Sequence, residues 1–448
     1  MRTSTMAIGR AVHSVCRQHA PSSVALPAQM IASAPRSAYL HIPFCHRRCF
    51  YCDFAVVPLG DRADAFGGSG SGSIEAYLDL LSAEISLSPQ GPALATVYVG
   101  GGTPSLLRSD QISGLLQQLR GRFGFQQGAE ITLEMDPATF EQSDLQSLIA
   151  AGVTRVSLGG QSFDDVRLAA LGRRHRRQDL LEACHWLQES LQVGGLQSWS
   201  LDLIRNLPDQ GDEEWEAQLE QAVAVQAPHV SIYDLSVEPG TVFAWREKRG
   251  ELALPEEDAA ADRIAFTSRR LRRAGYSRYE ISNFARPGHA SRHNRVYWSG
   301  AGWWAFGLGA TSAPWGERMA RPRTREAYAA WLQDQRQELD SSLVRGSAGS
   351  LPLDDRLLVG LRCHEGVDLW DLARRCGWDE RRCHRDLPAL EARWQPFVDI
   401  GLMERLGRRW RLSDPEGMAV SNQVLVEVVE WWELLPDPVA PLASFSER

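Results

Sequence analysis

The chain has 448 residues, of which 44% are hydrophobic and 23% charged, and its formal net charge is −8. This length suits one large domain with a smaller companion. The acidic balance argues against nucleic-acid binding, which usually needs a basic face. No apolar run approaches the roughly 18–20 residues of a membrane-spanning helix, so any membrane contact is expected to be peripheral. The use of cysteine indicates a reducing compartment, which predicts a cytoplasmic location.

Residues 1–36 differ in composition from the rest of the chain. They are rich in Ser, Ala and Arg and contain no acidic residue, because the first acid is Asp53. Such a composition is typical of a transit peptide, but a disordered arm or a start codon assigned too far upstream would look the same. We interpret residues 1–36 as a disordered N-terminal extension without a functional role.

Three closely spaced cysteines, Cys45, Cys49 and Cys52, follow the first apolar run in the pattern C-x3-C-x2-C. Thiolate is the soft ligand that iron–sulfur clusters select, and such clusters normally take four thiolates. Three thiolates would therefore leave one iron open to an exchangeable ligand. Two alternatives are a zinc site closed by His46 or His41 and three unrelated buried thiols.

Short β-rich runs alternate with helical patterns through the first two thirds of the chain. This alternation predicts a parallel α/β sheet or barrel. In such folds the active site lies at the carboxyl ends of the strands. The predicted strands cover residues 38–42, 95–99, 130–134, 155–158, 200–204 and 229–235.

Glycines and polar residues lie at or just beyond the ends of successive strands. They include residues 100–102, Glu134 and Gln161, and the fifth strand itself includes Asp202. Glycine lets a backbone approach a ligand closely, and a carboxylate or amide at a strand end can bind ribose hydroxyls. Arg173 could hold a carboxylate with its planar guanidinium. A ligand that carries both an amino acid and a ribose, beside an iron with an open site, is S-adenosylmethionine.

The motifs resemble the radical S-adenosylmethionine superfamily, and residues 39–52 and 100–105 resemble its oxygen-independent coproporphyrinogen III oxidase group. The resemblance runs from about residue 37 to about residue 430. It implies an α/β fold, an incomplete (βα)6 barrel similar to a TIM barrel, with a 4Fe-4S cluster on Cys45, Cys49 and Cys52. It also implies that nine residues contact S-adenosylmethionine: Tyr39, Tyr51, Gly101, Gly102, Thr103, Glu134, Gln161, Arg173 and Asp202.

The resemblance further implies the domain organisation. We expect the barrel to cover residues 37–320. A smaller, mainly helical domain of winged-helix-like shape would cover 321–435, and 436–448 would be a tail. In the second domain we predict a helix from about Leu353, another capped by Asp368, and a short hairpin around Trp410.

Two features are more similar to the haem chaperone branch of this group than to its oxidase branch. The oxidases carry a fourth cysteine two residues after the third, where this chain has Phe54. Residues 293–298 match the HNxxYW motif of the chaperones, which predicts that His293, Tyr297 and Trp298 contact haem. Neutral imidazole is a common haem ligand. The alternative is a His-Asn turn whose aromatic residues pack in a core.

Other features of the haem prediction stay open. Four further histidines compete as the haem ligand: His289, His41, His46 and His229.

A departure from the relatives is the pair Arg205-Asn206, where they usually have an apolar residue followed by glycine.

The sequence therefore predicts a haem chaperone that transfers haem to an apoprotein such as a respiratory haem enzyme. Its cluster and S-adenosylmethionine would be structural or regulatory, and a flavodoxin or ferredoxin electron donor and a homodimer are compatible with this function. One alternative is a radical enzyme that decarboxylates the propionates of coproporphyrinogen III. Another is a zinc-stabilised binding protein without redox chemistry.

Overall fold

The structure, a computed structural model, describes residues 35–60, 69–314, 316, 318–339 and 351–436. The predicted tail, apart from its first residue, and all but the last two residues of the predicted N-terminal extension lie outside these ranges. No helix within them is both long and apolar enough to cross a membrane.

The strands of the described residues are β1 (Ser37–Ile42), β2 (Phe44–Cys45), β3 (Val57–Pro58), β4 (Leu94–Gly101), β5 (Phe125–Met135), β6 (Arg155–Gln161), β7 (Ser198–Arg205), β8 (His229–Asp234), β9 (Ser277–Arg278), β10 (Asn283–Ala285), β11 (Trp304–Phe306), β12 (Thr311–Ser312), β13 (Met319–Ala320), β14 (Val367–Asp368), β15 (Met403–Leu406) and β16 (Arg409–Leu412). The helices are α1 (Ser69–Leu87), α2 (Ser109–Phe123), α3 (Gln142–Ala150), α4 (Asp165–Ala170), α5 (Arg177–Gln192), α6 (Asp212–Ala224), α7 (Val242–Lys248), α8 (Glu257–Arg273), α9 (Arg292–Ser299), α10 (Arg325–Leu339), α11 (Leu353–Gly360), α12 (Leu369–Arg375), α13 (Glu380–Asp399), α14 (Glu416–Ala419) and α15 (Ser421–Glu433).

One nine-stranded sheet in the order β11-β1-β4-β5-β6-β7-β8-β10-β9 organises the first two thirds of the chain. The six strands β1 and β4–β8 are neighbours in sequence order and all pair in parallel. The edge strands β11 and β9 do not pair with each other, so the sheet is open. The predicted incomplete (βα)6 barrel is confirmed.

Helices cover the outer face of this sheet because their apolar residues recur at helical spacing. In α5, for example, Leu180, Ala183, Cys184 and Leu187 are buried, while the opposite face of the helix is polar. These side chains join a large hydrophobic core between the sheet and the helices. The packing leaves the loops at the carboxyl ends of the parallel strands free to build a site.

A second hydrophobic core holds together residues from Leu353 to Trp431. It lies between helices and the antiparallel sheet β14-β16-β15, and Trp394 packs on Trp410 with ring centroids 5.3 Å apart. As predicted, Asp368 caps α12, since its side chain accepts a hydrogen bond of 2.9 Å from the Asp371 amide. Tyr328 of α10 packs in the first core, and we therefore propose that the two units divide after α10 and not at residue 320.

Candidate cofactor-binding site

The segment that carries the three cysteines, residues 45–52, is here called the cysteine loop. It follows β1 and lies at the carboxyl end of the barrel. Cys45, Cys49 and Cys52 are free and half-buried, and all three line a cavity of about 400 Å³ at the carboxyl ends of the strands. The loop is fastened to the segment after β6, because the Phe50 amide donates to the Leu171 carbonyl at 3.0 Å. A loop anchored in this way holds its thiols over the barrel opening.

Two glycines at the end of β4, Gly101 and Gly102, allow the cysteine loop to approach the sheet. A Cβ atom on Gly102 would lie 2.6 Å from the Phe44 carbonyl oxygen and 2.9 Å from Cys45 Sγ. Gly101 has a φ of +122°, which only glycine adopts readily. The next residue, Thr103, places its hydroxyl 3.6 Å from Cys45 Sγ. The chain therefore needs glycine here to bring backbone and thiol together.

Glu134, at the end of β5, is held from two sides. It accepts hydrogen bonds from the Gly101 amide at 2.9 Å and from the Tyr98 hydroxyl at 2.8 Å. Burial raises the pKa of Glu134 to about 7, although these two donors oppose the shift. A carboxyl group with that pKa is partly protonated at neutral pH, and a bound cationic ligand would favour its ionised form.

Asp202, on β7, begins a buried hydrogen-bond chain. Its carboxylate accepts from Ser157 and Ser200, both at 2.8 Å. Ser200 lies 2.8 Å from His229 Nδ1, and His229 Nε2 lies 2.9 Å from the Tyr279 hydroxyl. Burial raises the pKa of Asp202. The chain links the cavity to the opposite end of the barrel.

An ion pair that the sequence did not predict crosses the cavity. Arg173 donates to Asp136 at 2.6 Å, and the two side chains are 13% and 17% exposed. Burial alone would raise the pKa of Asp136, but the Arg173 guanidinium and His175 hold it well below its usual range. The guanidinium also donates to the Gly159 carbonyl at 2.9 Å and lies 3.7 Å from Cys49 Sγ. In the sequence, the signal for a site residue here was the position of Asp136 directly after a predicted strand.

Two polar atoms in the wall of the cavity have no hydrogen-bond partner among the described residues. They are Gln161 Oε1 and Arg173 Nε, both buried. Gln161 has a φ of +56°, a left-handed conformation that is uncommon for residues other than glycine. Buried polar atoms normally have a hydrogen-bond partner, so these two atoms fit a polar ligand in the cavity.

Eight of the nine residues predicted to contact S-adenosylmethionine line this one cavity: Tyr51, Gly101, Gly102, Thr103, Glu134, Gln161, Arg173 and Asp202. Tyr39 instead lines a neighbouring cleft of about 320 Å³ together with His41, Phe54, Tyr297 and Trp303. The hydroxyl of Tyr39 lies 2.9 Å from His41 Nδ1.

The geometry does not favour the zinc alternative. His41 Nε2 is 2.8 Å from the Ala55 carbonyl oxygen and its Nδ1 faces Tyr39, so neither ring nitrogen is open to a metal. Within the described ranges, no three His, Cys, Asp or Glu side chains converge on a single point as one ion would require. The thiolates of a cubane bind separate irons and need not converge.

The HNxxYW residues lie on α9, near the amino-terminal ends of β4 and β5. His293 is 0% exposed; its Nδ1 is 2.8 Å from the Thr96 hydroxyl and its Nε2 is 2.9 Å from the Tyr297 hydroxyl. Its ring stacks on Tyr98 at 5.2 Å. In this conformation both nitrogens are occupied, so the structure does not present His293 as a haem ligand.

The aromatic residues of the motif face two different clefts. Tyr297 packs edge-on against Trp303 at 4.9 Å in the cleft beside Tyr39. Trp298 lines a separate cleft with Tyr279 and Cys363. The three predicted haem residues therefore do not share one surface.

The departure at Arg205-Asn206 is accommodated by a local network. Asn206 has a φ of +60°, which asparagine tolerates better than most residues. Arg205 and Asn206 both donate to Asp234, at 2.6 and 2.7 Å. These contacts tie the ends of β7 and β8 together beside the cavity.

Comparison with known proteins agrees with this architecture. The family model of the Radical SAM superfamily matches residues 39–222, so the open barrel and its cysteine loop are those of a radical S-adenosylmethionine protein. Membership of this superfamily implies a 4Fe-4S cluster and S-adenosylmethionine.

The chain as a whole is 37% identical over 404 residues to the Heme chaperone HemW of Synechocystis sp., which covers 87% of this chain and 95% of that protein. It therefore belongs to the HemW family. The Heme chaperone HemW of Escherichia coli is 37% identical over 287 residues, 63% of this chain and 71% of that protein. A solved structure, coproporphyrinogen III oxidase (HemN) from Escherichia coli, has a TM-score of 0.69 at 22% identity and covers 89% of this chain and 92% of that one. At this identity the likeness shows the fold alone.

Proposed function

We propose that this protein is a haem chaperone, which binds haem and transfers it to an acceptor apoprotein such as a respiratory haem enzyme. The observation that carries the proposal is the relationship to the Synechocystis Heme chaperone HemW, which spans 95% of that protein. The residue at position 54 supports it, because Phe54 stands where the oxidases that the chain resembles have a fourth cysteine.

We infer that Cys45, Cys49 and Cys52 hold the 4Fe-4S cluster and that the cavity residues bind S-adenosylmethionine. The two unpartnered buried atoms and the close approach of Gly102 to the cysteine loop support this assignment. A bound cluster supplies one-electron chemistry. Glu134 and Asp202 would hold the cationic nucleoside, while Asp136 keeps Arg173 oriented beside Cys49.

The second candidate function is oxygen-independent coproporphyrinogen III oxidation. The resemblance of residues 39–52 and 100–105 to the oxygen-independent coproporphyrinogen III oxidase group favours it, and the fold is shared with coproporphyrinogen III oxidase (HemN). Against it, position 54 lines the cavity but is a phenylalanine, so it supplies no fourth thiol there.

The test compares both activities in one preparation of anaerobically reconstituted protein. Under our proposal, hemin titration produces a saturable Soret band, and the loaded protein passes haem to an apo-haem protein at a measurable rate. Incubation with coproporphyrinogen III, S-adenosylmethionine and a reductant yields no protoporphyrinogen. Formation of protoporphyrinogen would contradict the chaperone assignment and support the oxidase.

We further propose a cytoplasmic location, with a flavodoxin or ferredoxin as electron donor and a homodimer as the assembly. Support for the location comes from the cysteines, since all seven within the described residues are free thiols. Thiols remain reduced in the cytosol.

A further inference from the structure

Buried polar side chains run through the barrel interior from Asp202 in the cofactor cavity to Tyr279 beside α9. Asp202 accepts from the Ser200 hydroxyl at 2.8 Å, and Ser200 lies 2.8 Å from His229 Nδ1. The other ring nitrogen, His229 Nε2, lies 2.9 Å from the Tyr279 hydroxyl. Ser200 and His229 are 0% exposed, and Tyr279 is 5% exposed. In such a buried chain, the direction of each hydrogen bond depends on the direction of its neighbours.

The carboxylate of Asp202 sets the direction at the cavity end. A carboxylate can only accept, so the single hydroxyl proton of Ser200 is directed at Asp202. The Ser200 oxygen is then left as an acceptor for His229 Nδ1. Ser231, whose hydroxyl is 3.1 Å from that of Ser200, can donate to the same oxygen without changing this direction.

The imidazole of His229 carries this direction to Tyr279. Burial and the Arg155 guanidinium hold the pKa of His229 well below its usual value, so the ring is neutral and has a single proton. That proton must lie on Nδ1, which donates to Ser200. Nε2 is therefore an acceptor, and the Tyr279 hydroxyl donates to it.

Groups at the start of α9 favour the same direction at the far end. Burial raises the pKa of the Tyr279 phenol, and hydrogen bonds from the Ser291 amide and the Asn294 side chain oppose that shift. Because both groups donate to the phenol oxygen, its own proton is directed away from them and toward His229. Ser291 caps α9, and Asn294 is the second residue of the HNxxYW motif. The motif therefore reaches the cofactor cavity through this chain.

The other tautomer of His229 would reverse the chain. With the proton on Nε2, Nδ1 becomes an acceptor and competes with Asp202 for the one Ser200 proton. The Asp202 carboxylate would then lose one of its serine donors. The Tyr279 hydroxyl prevents this reversal, because it donates to an unprotonated Nε2.

Resting on the proposed assignment of the cavity to S-adenosylmethionine, we propose that His229 and Tyr279 are positioning residues for that ligand. They direct the Ser200 hydroxyl to Asp202 and so hold its carboxylate in the orientation that receives the nucleoside. Asp202 lines the cavity, whereas Ser200, His229 and Tyr279 do not. The two residues therefore act on the ligand only through Ser200 and Asp202.

The test is isothermal titration of S-adenosylmethionine into the full chain, reconstituted anaerobically with its cluster. Tyr279→Phe removes only the phenol oxygen and leaves the His229 tautomer unfixed. It is expected to weaken binding roughly fivefold, which corresponds to about 1 kcal/mol, the contribution of one neutral hydrogen bond. Ser200→Ala removes the donor to Asp202 itself and is expected to weaken binding by a similar factor.

Tyr276→Phe is the matched control. Tyr276 is also buried, at 1% exposure, and its hydroxyl donates to the Ala227 carbonyl at 2.6 Å, outside the chain that leads to Asp202. This substitution removes one buried hydrogen bond, as Tyr279→Phe does. It should therefore lower the melting temperature comparably and leave the affinity for S-adenosylmethionine unchanged.

The double variant Ser200→Ala/Tyr279→Phe separates positioning from a general loss of stability. If Tyr279 acts through Ser200, the double variant binds S-adenosylmethionine no more weakly than Ser200→Ala alone. Two independent defects would instead multiply their effects on the affinity.

The outcomes are distinct from those for the function. Unchanged affinity in Tyr279→Phe, an equal loss in Tyr276→Phe, or multiplied losses in the double variant would overturn the positioning role and leave the chaperone function intact. A wild-type protein that binds no S-adenosylmethionine would overturn both this role and the assignment of the cavity. Hemin binding and transfer by the same preparation would still decide the chaperone function.

Discussion

The two ends of the barrel each carry a distinct sequence motif, but the structure uses them differently. At the carboxyl end, the three thiols line an open cavity, and Gln161 Oε1 and Arg173 Nε are buried in its wall without a partner among the described residues. Near the amino end, both ring nitrogens of His293 are hydrogen-bonded, one to the Thr96 hydroxyl and the other to the Tyr297 hydroxyl. A motif indicates a ligand site when its polar groups remain available, and a structural element when they are already bonded to each other.

The largest expected effect tests the carboxyl end. Cys45→Ala is expected to reduce iron from about four per chain to near zero in reconstituted protein, because a cubane held by two thiolates is not retained. Iron and sulfide analysis measures the loss. Cys184→Ala, which changes a buried cysteine of α5, is the control and should retain its iron. Stoichiometric zinc in the wild type would contradict the cluster assignment.

Removal of Asp136 is the next largest change. Asp136→Ala leaves Arg173 buried without its carboxylate and is expected to lower the free energy of unfolding by about 3–5 kcal/mol. The folded-state pKa of Asp136 lies below its unfolded value of about 3.9. Its stabilisation is therefore complete above that unfolded value and lost as the pH falls through the folded pKa. Urea unfolding of the apoprotein at neutral and acid pH checks both statements; equal stability of variant and wild type would contradict them.

His293→Ala tests the interpretation of the amino end. It leaves Thr96 and Tyr297 without their buried partner and is expected to destabilise the protein by about 2–4 kcal/mol. His293→Gln, which keeps polar atoms in the same space, should recover part of that loss. Thermal and urea unfolding measure it. A variant as stable as the wild type would mean that the hydrogen bonds of His293 do not stabilise the fold.

A smaller effect concerns Glu134, whose pKa is about 7 in the free cavity. S-adenosylmethionine carries a positive sulfonium and favours the ionised carboxylate, so its affinity should rise as the pH increases through about 7 and level off above. Below that pKa, the affinity is expected to fall by up to roughly tenfold per pH unit. Isothermal titration of cluster-loaded protein measures this profile. Glu134→Gln should flatten it, and an unchanged slope in that variant would assign the titration to another group.

The smallest expected effect belongs to Phe54→Cys. Phe54 is 56% exposed, so the free energy of unfolding should change by less than about 0.5 kcal/mol. Iron content should also stay the same, since the three existing thiols already hold the cluster. A gain of protoporphyrinogen formation in this variant would show that position 54 alone separates the two branches.

Much of the fold followed from the sequence alone. The alternation of apolar strands with amphipathic helices predicted the six parallel strands, because period and chain order are local properties that a single sequence displays. The C-x3-C-x2-C spacing and the glycines at the end of β4 likewise predicted a site at the carboxyl ends of the strands. Eight of the nine proposed S-adenosylmethionine contacts line one cavity for this reason.

Tertiary structure decided what each polar group has as its partner. The hydrogen bond from His293 to Thr96 joins residues 197 positions apart, and the ion pair from Arg173 to Asp136 joins residues 37 apart. Neither is visible in a local pattern, since it depends on how strands and helices pack. The sequence thus determined where the chemistry-bearing residues lie along the strands, and the packing determined which of them remain free to bind a ligand.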